Sequence, residues 1–464
     1  MGQWDSFDYL KQIVTHQFSD LGIGRPVFIG YNIILWELVS KVFRLSALEV
    51  ESVVVIEIVV LGGAGVLLFD RLARRILPVR AARLATVGLL LSPVYALYSG
   101  FVMTEVPMLV TAIAAAAILW GAEPGPRIGR EVLAGLLFGI SVGIREQAVT
   151  LAAAFLWILW VRRLDFSSWV RSALCFGLAS VLVIVAPAAL FYLYDPSRFM
   201  QRTRVWLGIL PTGEVHFWEN VQASLLYTFA VCPAAWLALL SAGIWYLWRR
   251  LRPAGRPPAA GGGPPSAGEA AQIPSPLLGF TCCLFIPLAI LWRDADVQIH
   301  PRYLLVVLPA SLILCARLYH RWTGTTRAAV RWAVLQLVVF GIAQAGMQPL
   351  RQLQAEKRDY AQMVRSLVPG EALLIAGGYS PILDYYRGLR DRPGWRILWS
   401  GWIWDRDKAA AEIAQSWARN EPVYLCDGPA AWLYFEDQRL DLYYILRGSR
   451  SEQVAPGLTR VEPR

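Results

Sequence analysis

Apolar positions along this chain gather into runs of roughly 17 to 25 residues, the length that crosses about 30 Å of hydrocarbon. The runs fall at 49–69, 84–100, 105–120, 131–145, 147–161, 170–194, 223–248, 277–292, 303–320 and 330–347. They predict ten spans, with 131–161 read as a hairpin because some thirty apolar residues exceed one crossing. Ahead of them, 10–18 reads as a short amphipathic helix. Gly22, Gly24 and Pro26 then turn the chain into a second helix over 27–43, with Trp36, Glu37 and Lys41 on its polar side. Helices of that kind are expected to lie in the membrane interface.

After Pro349 the period changes. Short β-rich runs at 372–376, 395–399 and 423–426 alternate with helical patterns starting at 382 and spanning 408–419, which predicts a small α/β layer. The Pro/Gly-rich stretch 253–276 has the composition of a linker without a core. The expected fold class is mainly α: a polytopic transmembrane helix bundle with a small C-terminal α/β extracytoplasmic domain. Its expected parts are a first extracytoplasmic loop with interfacial helices over 1–48, the bundle over 49–348, and the α/β domain over 349–464.

Composition agrees, with 56% hydrophobic and 17% charged residues against about a quarter charged in soluble proteins. A net charge of +10 raises nucleic acid as a partner, but the placement of the arginines excludes it. Arg71, Arg74, Arg75, Arg80 and Arg83 share one connection, and further groups stand at Arg127 and Arg130, at Arg162, Arg163 and Arg171, at Arg249–Arg256 and at Arg317–Arg331. The alternate connections hold fewer. The basic set is therefore cytoplasmic by the positive-inside rule, and the basicity reports topology. Both the N-terminal segment and the chain beyond about 348 then fall outside. An outside start without a preceding apolar segment leads to the expectation that one more N-terminal helix belongs to the natural protein and that Met1 marks a late start. Cys175, Cys232, Cys282, Cys283 and Cys315 sit in apolar runs and Cys426 outside them, with neither disulfide framework nor metal spacing.

Asp5, Asp8 and Tyr9 form an acidic loop directly before the membrane segments, where carboxylates are expensive to hold without a task. Glu105 opens an outer helix with Pro107 in its first turn; it reads as a charge favouring the helix dipole, as a second catalytic acid, or as both. Gly135, Gly139 and Gly143 are spaced for close helix packing. In the turn that follows, Arg145 and Glu146 read either as a solvated pair or with Arg145 as a phosphate partner. Arg202 and Arg204, beside Trp206, His216 and Trp218, read as interfacial anchors or as a lid over a phosphate. Arg293, His300, Arg302 and Tyr303 form a polar cap or an anion pocket.

Outer carboxylates with outer guanidinium groups suit sugar transfer from a lipid phosphate. The departing phosphate needs cations, and the acceptor hydroxyl needs a base for its proton. Asp5 and Asp8 are the candidate bases, and Arg145, Arg202, Arg204, Arg293 and Arg302 the phosphate partners. The competing reading is a membrane transporter or lipid flippase, for which inverted repeats are expected and no internal repeat is visible. A third is a non-catalytic scaffold of polymer export.

The motifs Asp5-x-x-x-Tyr9, Pro26, Met103-Thr104-Glu105-Val106-Pro107, Gly139-Ile-Ser-Val-Gly143-Ile-Arg145 and Arg302-Tyr303-Leu304 resemble the GT-C class of integral-membrane glycosyltransferases. The likeness is to the bacterial branch of protein mannosyltransferases and aminoarabinose transferases, and it covers most of residues 4–310 as a pattern of spans. It implies a hexosyl- or pentosyltransferase of the bacterial inner membrane, with its active site extracytoplasmic and Asp5 as the acid/base residue. The donor is then a polyprenyl-phosphate sugar and the acceptor a lipid, glycan or protein. Some relatives use a divalent metal near these acids; nothing in this sequence demands one. The chain departs from the pattern in lacking the family's first transmembrane helix and in carrying Glu105 where an aspartate is more usual.

Overall fold

A computed structural model describes residues 3–16, 25–120, 128–162, 165–194, 196–197, 199–200, 231–251, 305–323, 325–377, 380–388, 394–399, 405–428 and 436–464. The helices of the first two thirds are α1 (Gln3–Thr15), α2 (Pro26–Phe43), α3 (Val50–Ile76), α4 (Val79–Leu90), α5 (Pro93–Tyr98), α6 (Glu105–Trp120), α7 (Ile128–Ile144), α8 (Ala152–Arg162), α9 (Phe166–Tyr194), α10 (Pro233–Leu251), α11 (Leu308–Thr323) and α12 (Thr326–Gly346). Then follow α13 (Gln348–Leu367), β1 (Ala372–Ala376), α14 (Ser380–Gly388), β2 (Trp395–Trp399), α15 (Arg406–Ala418), β3 (Val423–Cys426), α16 (Glu436–Leu446), β4 (Arg450–Ala455) and β5 (Leu458–Glu462). The span expected at 277–292 and the linker 253–276 lie outside the described residues.

Among the described residues, the stretches Pro26–Phe43, Ala47–Ile76, Phe166–Leu190 and Thr326–Leu367 are long and apolar enough to cross a membrane. The protein is a multi-pass membrane protein, mainly α, with one small C-terminal sheet. Two expectations change at this level. The helix over Pro26–Phe43, expected in the interface, has the length and composition of a crossing segment, because Ile29, Ile33, Ile34 and Leu35 outweigh Glu37 and Lys41. The run 84–100, expected as one span, breaks at Ser92-Pro93. Pro93 has no N–H to continue α4, and the Ser92 hydroxyl accepts from the Tyr95 amide to start α5.

The chain divides into two compact units, Met1–Ser19 with Ile29–Val54 and Ala345–Arg464, and Asp20–Phe28 with Val55–Gln344. The second is the larger helical unit. There α7 packs on α9 through glycines: a Cβ at Gly135 would stand 2.3 Å from the Phe176 carbonyl oxygen, and one at Gly139 2.7 Å from that of Ser180. Gly143, the third of the series, faces Val27 instead, whose Cγ2 would be 2.4 Å away. The closeness lets Ser180 Oγ donate to the Gly135 carbonyl at 3.0 Å and brings Phe138, Phe155 and Phe176 into one cluster with centroids 4.9 to 5.6 Å apart. Since backbone oxygen cannot yield, Gly135→Ala is expected to cost about 1–3 kcal/mol. Gly177→Ala on α9, where the new methyl meets nothing within 4 Å, is the neutral control. Thermal midpoints in detergent check the pair. Also in this unit, Trp332 of α12 is fully buried and donates from Nε1 to the Leu84 carbonyl at 3.1 Å.

In the first unit the strand order is β2-β1-β3-β5-β4, with β1 parallel to β2 and β3, and the β4–β5 hairpin antiparallel along β3. Every residue of β1 is buried, as a parallel strand covered on both faces requires. Leu373, Ile375, Val423 and Leu398 form a core with Ala409 and Ile413 of α15 and Leu442 of α16. Burial pushes the Cys426 thiol at the end of β3 up to about 12. The thiolate is the reactive form, so Cys426 is expected to resist maleimide at pH 8 in the folded protein and to react once unfolded. Mass spectrometry of the labelled peptide reads this directly.

Candidate functional site

Glu105 is the first residue of α6, and Pro107, in its first turn, sacrifices no internal hydrogen bond. On the neighbouring helix α7 the chain stops at Ile144, and Arg145 turns extended (φ −154°, ψ 121°) before a 3₁₀ turn over Glu146–Leu151. That local break lets the Arg145 side chain leave its own helix and reach the start of α6. Its Nη1 stands 2.9 Å from Glu105 Oε1 and donates to Thr104 Oγ1 at 2.9 Å, while Nε donates to Gln147 Oε1 at 2.7 Å. The approach to Glu105 has the distance of an ion pair, although its angle falls short of a hydrogen bond. The pair is removed from solvent, with side-chain exposures of 1% for Arg145 and 0% for Glu105. The expectation of a solvated Arg145–Glu146 pair is thereby corrected. The extended backbone at 145 sends the two neighbours apart, and Glu146 Oε2 lies 3.9 Å from Arg25 Nε, a residue held at φ 76°. Ser141, one turn before Arg145, donates to the Met108 carbonyl at 2.8 Å and ties the two helices just below the pair.

An apolar groove opens in the same helical unit. Leu72 and Ile76 of α3, Leu109 and Ile113 of α6, Phe155 of α8 and Ile313 of α11 line it, among others. Leu109 follows Glu105 by one helical turn, about 6 Å along α6, so the groove begins next to the buried pair.

The acidic N-terminal segment belongs to the other unit. It is helical from Gln3, whereas the sequence led to an acidic loop with a helix from residue 10. The reason is tertiary: Phe7, Tyr9, Leu10 and Ile13 are all at most 5% exposed, so a stretch that looks polar is buried along one side. Asp5 and Asp8 stand three residues apart on this helix. Asp8 is half-buried and accepts from Gln12 Nε2 at 2.8 Å. Arg202, Arg204, Arg293, His300, Arg302 and Tyr303 lie outside the described residues. Among the described residues no three His, Cys, Asp or Glu side chains gather as a metal site would need. Thr104 and Gln147, both partners of Arg145, were missed as site residues; each adjoins a candidate in sequence, and that adjacency was the available signal.

No family model matches the sequence, and no curated protein matches it. Solved structures do. The apo form of ArnT from Cupriavidus metallidurans is similar with a TM-score of 0.60 at 14% identity, over 99% of this chain and 92% of that one. The same protein bound to undecaprenyl phosphate gives 0.61 at 15% identity, over 98% and 93%. At this identity the likeness is one of fold, and it runs from end to end: the chain shares the fold of ArnT.

Proposed function

We propose that the protein is a membrane glycosyltransferase. In this reading it moves a hexosyl or pentosyl unit from a polyprenyl-phosphate donor to a hydroxyl of a lipid, glycan or protein acceptor, on the extracytoplasmic face of a bacterial inner membrane. The observation that carries the reading is the match over 98% of the chain to ArnT bound to undecaprenyl phosphate. The apolar groove beside α6 supports it, since an isoprenoid tail needs a lining of this chemistry.

In the proposed step the acceptor oxygen bonds to the anomeric carbon as the bond from that carbon to the phosphate oxygen breaks. The hydroxyl proton passes to the carboxylate of Asp5 or Asp8, and polyprenyl phosphate leaves. The proton is lost late, when the attacking oxygen has become acidic, so an ordinary carboxylate suffices. Arg202, Arg204, Arg293 and Arg302, with His300 and Tyr303, take up the charge of the departing phosphate, and Tyr9 supports the acidic helix. Arg145, facing Glu105 in the buried pair, serves as a fixed anchor at the start of α6.

The test is incubation of membranes containing the protein with a panel of radiolabelled polyprenyl-phosphate sugars. Label from one donor is expected to move onto an acceptor; label that stays on every lipid, with or without the protein, would exclude the reading for that panel.

A further inference from the structure

The acidic helix α1 is docked on the C-terminal domain by a contact that spans nearly the whole sequence. Lys11 Nζ donates to Asp384 Oδ2 on α14, with both side chains about three quarters buried. Asp384 is itself braced by Arg387, whose Nη2 lies 2.5 Å from Asp384 Oδ1. One turn earlier, Phe7 meets Tyr385 with ring centroids 5.8 Å apart, and the Tyr385 hydroxyl donates to the Ala47 carbonyl at 3.3 Å. So α14 presents adjacent residues, Asp384 and Tyr385, to Lys11 and Phe7, and the same tyrosine fixes the turn before α3. A helix with a largely polar sequence has little reason to be rigid alone; here four groups lock its rotation and its position along its axis.

We propose that the C-terminal domain positions the acidic helix, with Lys11 and Asp384 as the positioning residues for the carboxylates of Asp5 and Asp8; this rests on the glycosyltransferase reading. Asp8 lies between Phe7 and Lys11 on α1, so any rotation that the two contacts permit moves its carboxylate directly. A misplacement of about 1 Å costs up to about 100-fold in rate, and binding of the lipid donor, which does not involve this contact, is left alone.

The experiment uses the full chain in detergent or nanodiscs. Hydrogen exchange is followed over residues 3–15, with β1 as internal control, in wild type, Asp384→Asn, Lys11→Met and Asp384→Glu. Transfer from the active donor is measured in parallel. Expected are an exchange over α1 at least about tenfold faster in Asp384→Asn and in Lys11→Met with β1 unchanged, a kcat reduced about tenfold or more at unchanged KM for the donor, and recovery of both in Asp384→Glu. Unchanged exchange over α1 would overturn the docking, and faster exchange with wild-type kcat would overturn the positioning role. If wild type transfers no sugar at all, the glycosyltransferase reading fails and the positioning role with it, while the exchange data still decide whether α1 is held by α14.

Discussion

Replacing Arg145 by methionine is expected to destabilise the helical unit by about 3–5 kcal/mol, because it removes the guanidinium that faces the Glu105 carboxylate in a site with no exposure to solvent. Glu105→Gln alone is expected to cost less, since it leaves the Arg145 hydrogen bonds to Thr104 and Gln147 in place. The double variant Glu105→Gln/Arg145→Met is expected to recover more than half of the loss, as no bare charge then remains. Thermal midpoints of the four proteins in one detergent measure the coupling. A single Arg145→Met variant as stable as wild type would show that the pair does not bear on folding. The expected size follows from burial: an exposed ion pair is worth at most about 1 kcal/mol, and this one is sealed.

The second large effect is on rate. Asp5→Asn and Asp8→Asn each keep the shape and polarity of the side chain and remove its ability to take a proton. General-base catalysis contributes about 10²–10⁴-fold, so under the proposed mechanism the variant at the proton-accepting position is expected to lose that factor in kcat, and the other variant less. Asp8→Asn preserves a partner for Gln12, and both variants are expected to fold and to match wild type in any binding of polyprenyl phosphate. Single-turnover transfer separates the two residues; equal and small losses at both positions would remove the base from this helix.

Much of the architecture was legible because it follows from period and length. The strands at 372–376, 395–399 and 423–426 and the helix at 105–120 stand where their patterns put them. The hairpin over 131–161 is two helices, but the second begins with a 3₁₀ turn through Leu151, and no apolar count distinguishes that turn from a helix. What stayed hidden depends on distant partners. The helix α1 starts at Gln3 because Phe7 and Lys11 find Tyr385 and Asp384, more than 370 residues away. The helix α13 is strongly amphipathic and polar overall, so a reading tuned to membrane runs passes over it. The hairpin β4–β5 has an almost wholly exposed outer strand and no alternation to betray it. In the candidate site both Glu105 and Arg145 stood out as charges at helix ends, but their mutual pairing did not. A nearest-neighbour reading joins Arg145 to Glu146, and only the extended backbone at 145 sends the guanidinium across to α6.

The most direct measurement is transfer by the purified protein reconstituted in liposomes, with a polyprenyl-phosphate sugar labelled in the sugar and the acceptor supplied in excess. With wild type, label is expected to leave the lipid and appear on the acceptor, and the Asp5→Asn/Asp8→Asn double variant is expected to bind the donor but transfer nothing measurable. Transfer by the double variant at the wild-type rate would rule out the acidic helix as the source of the base.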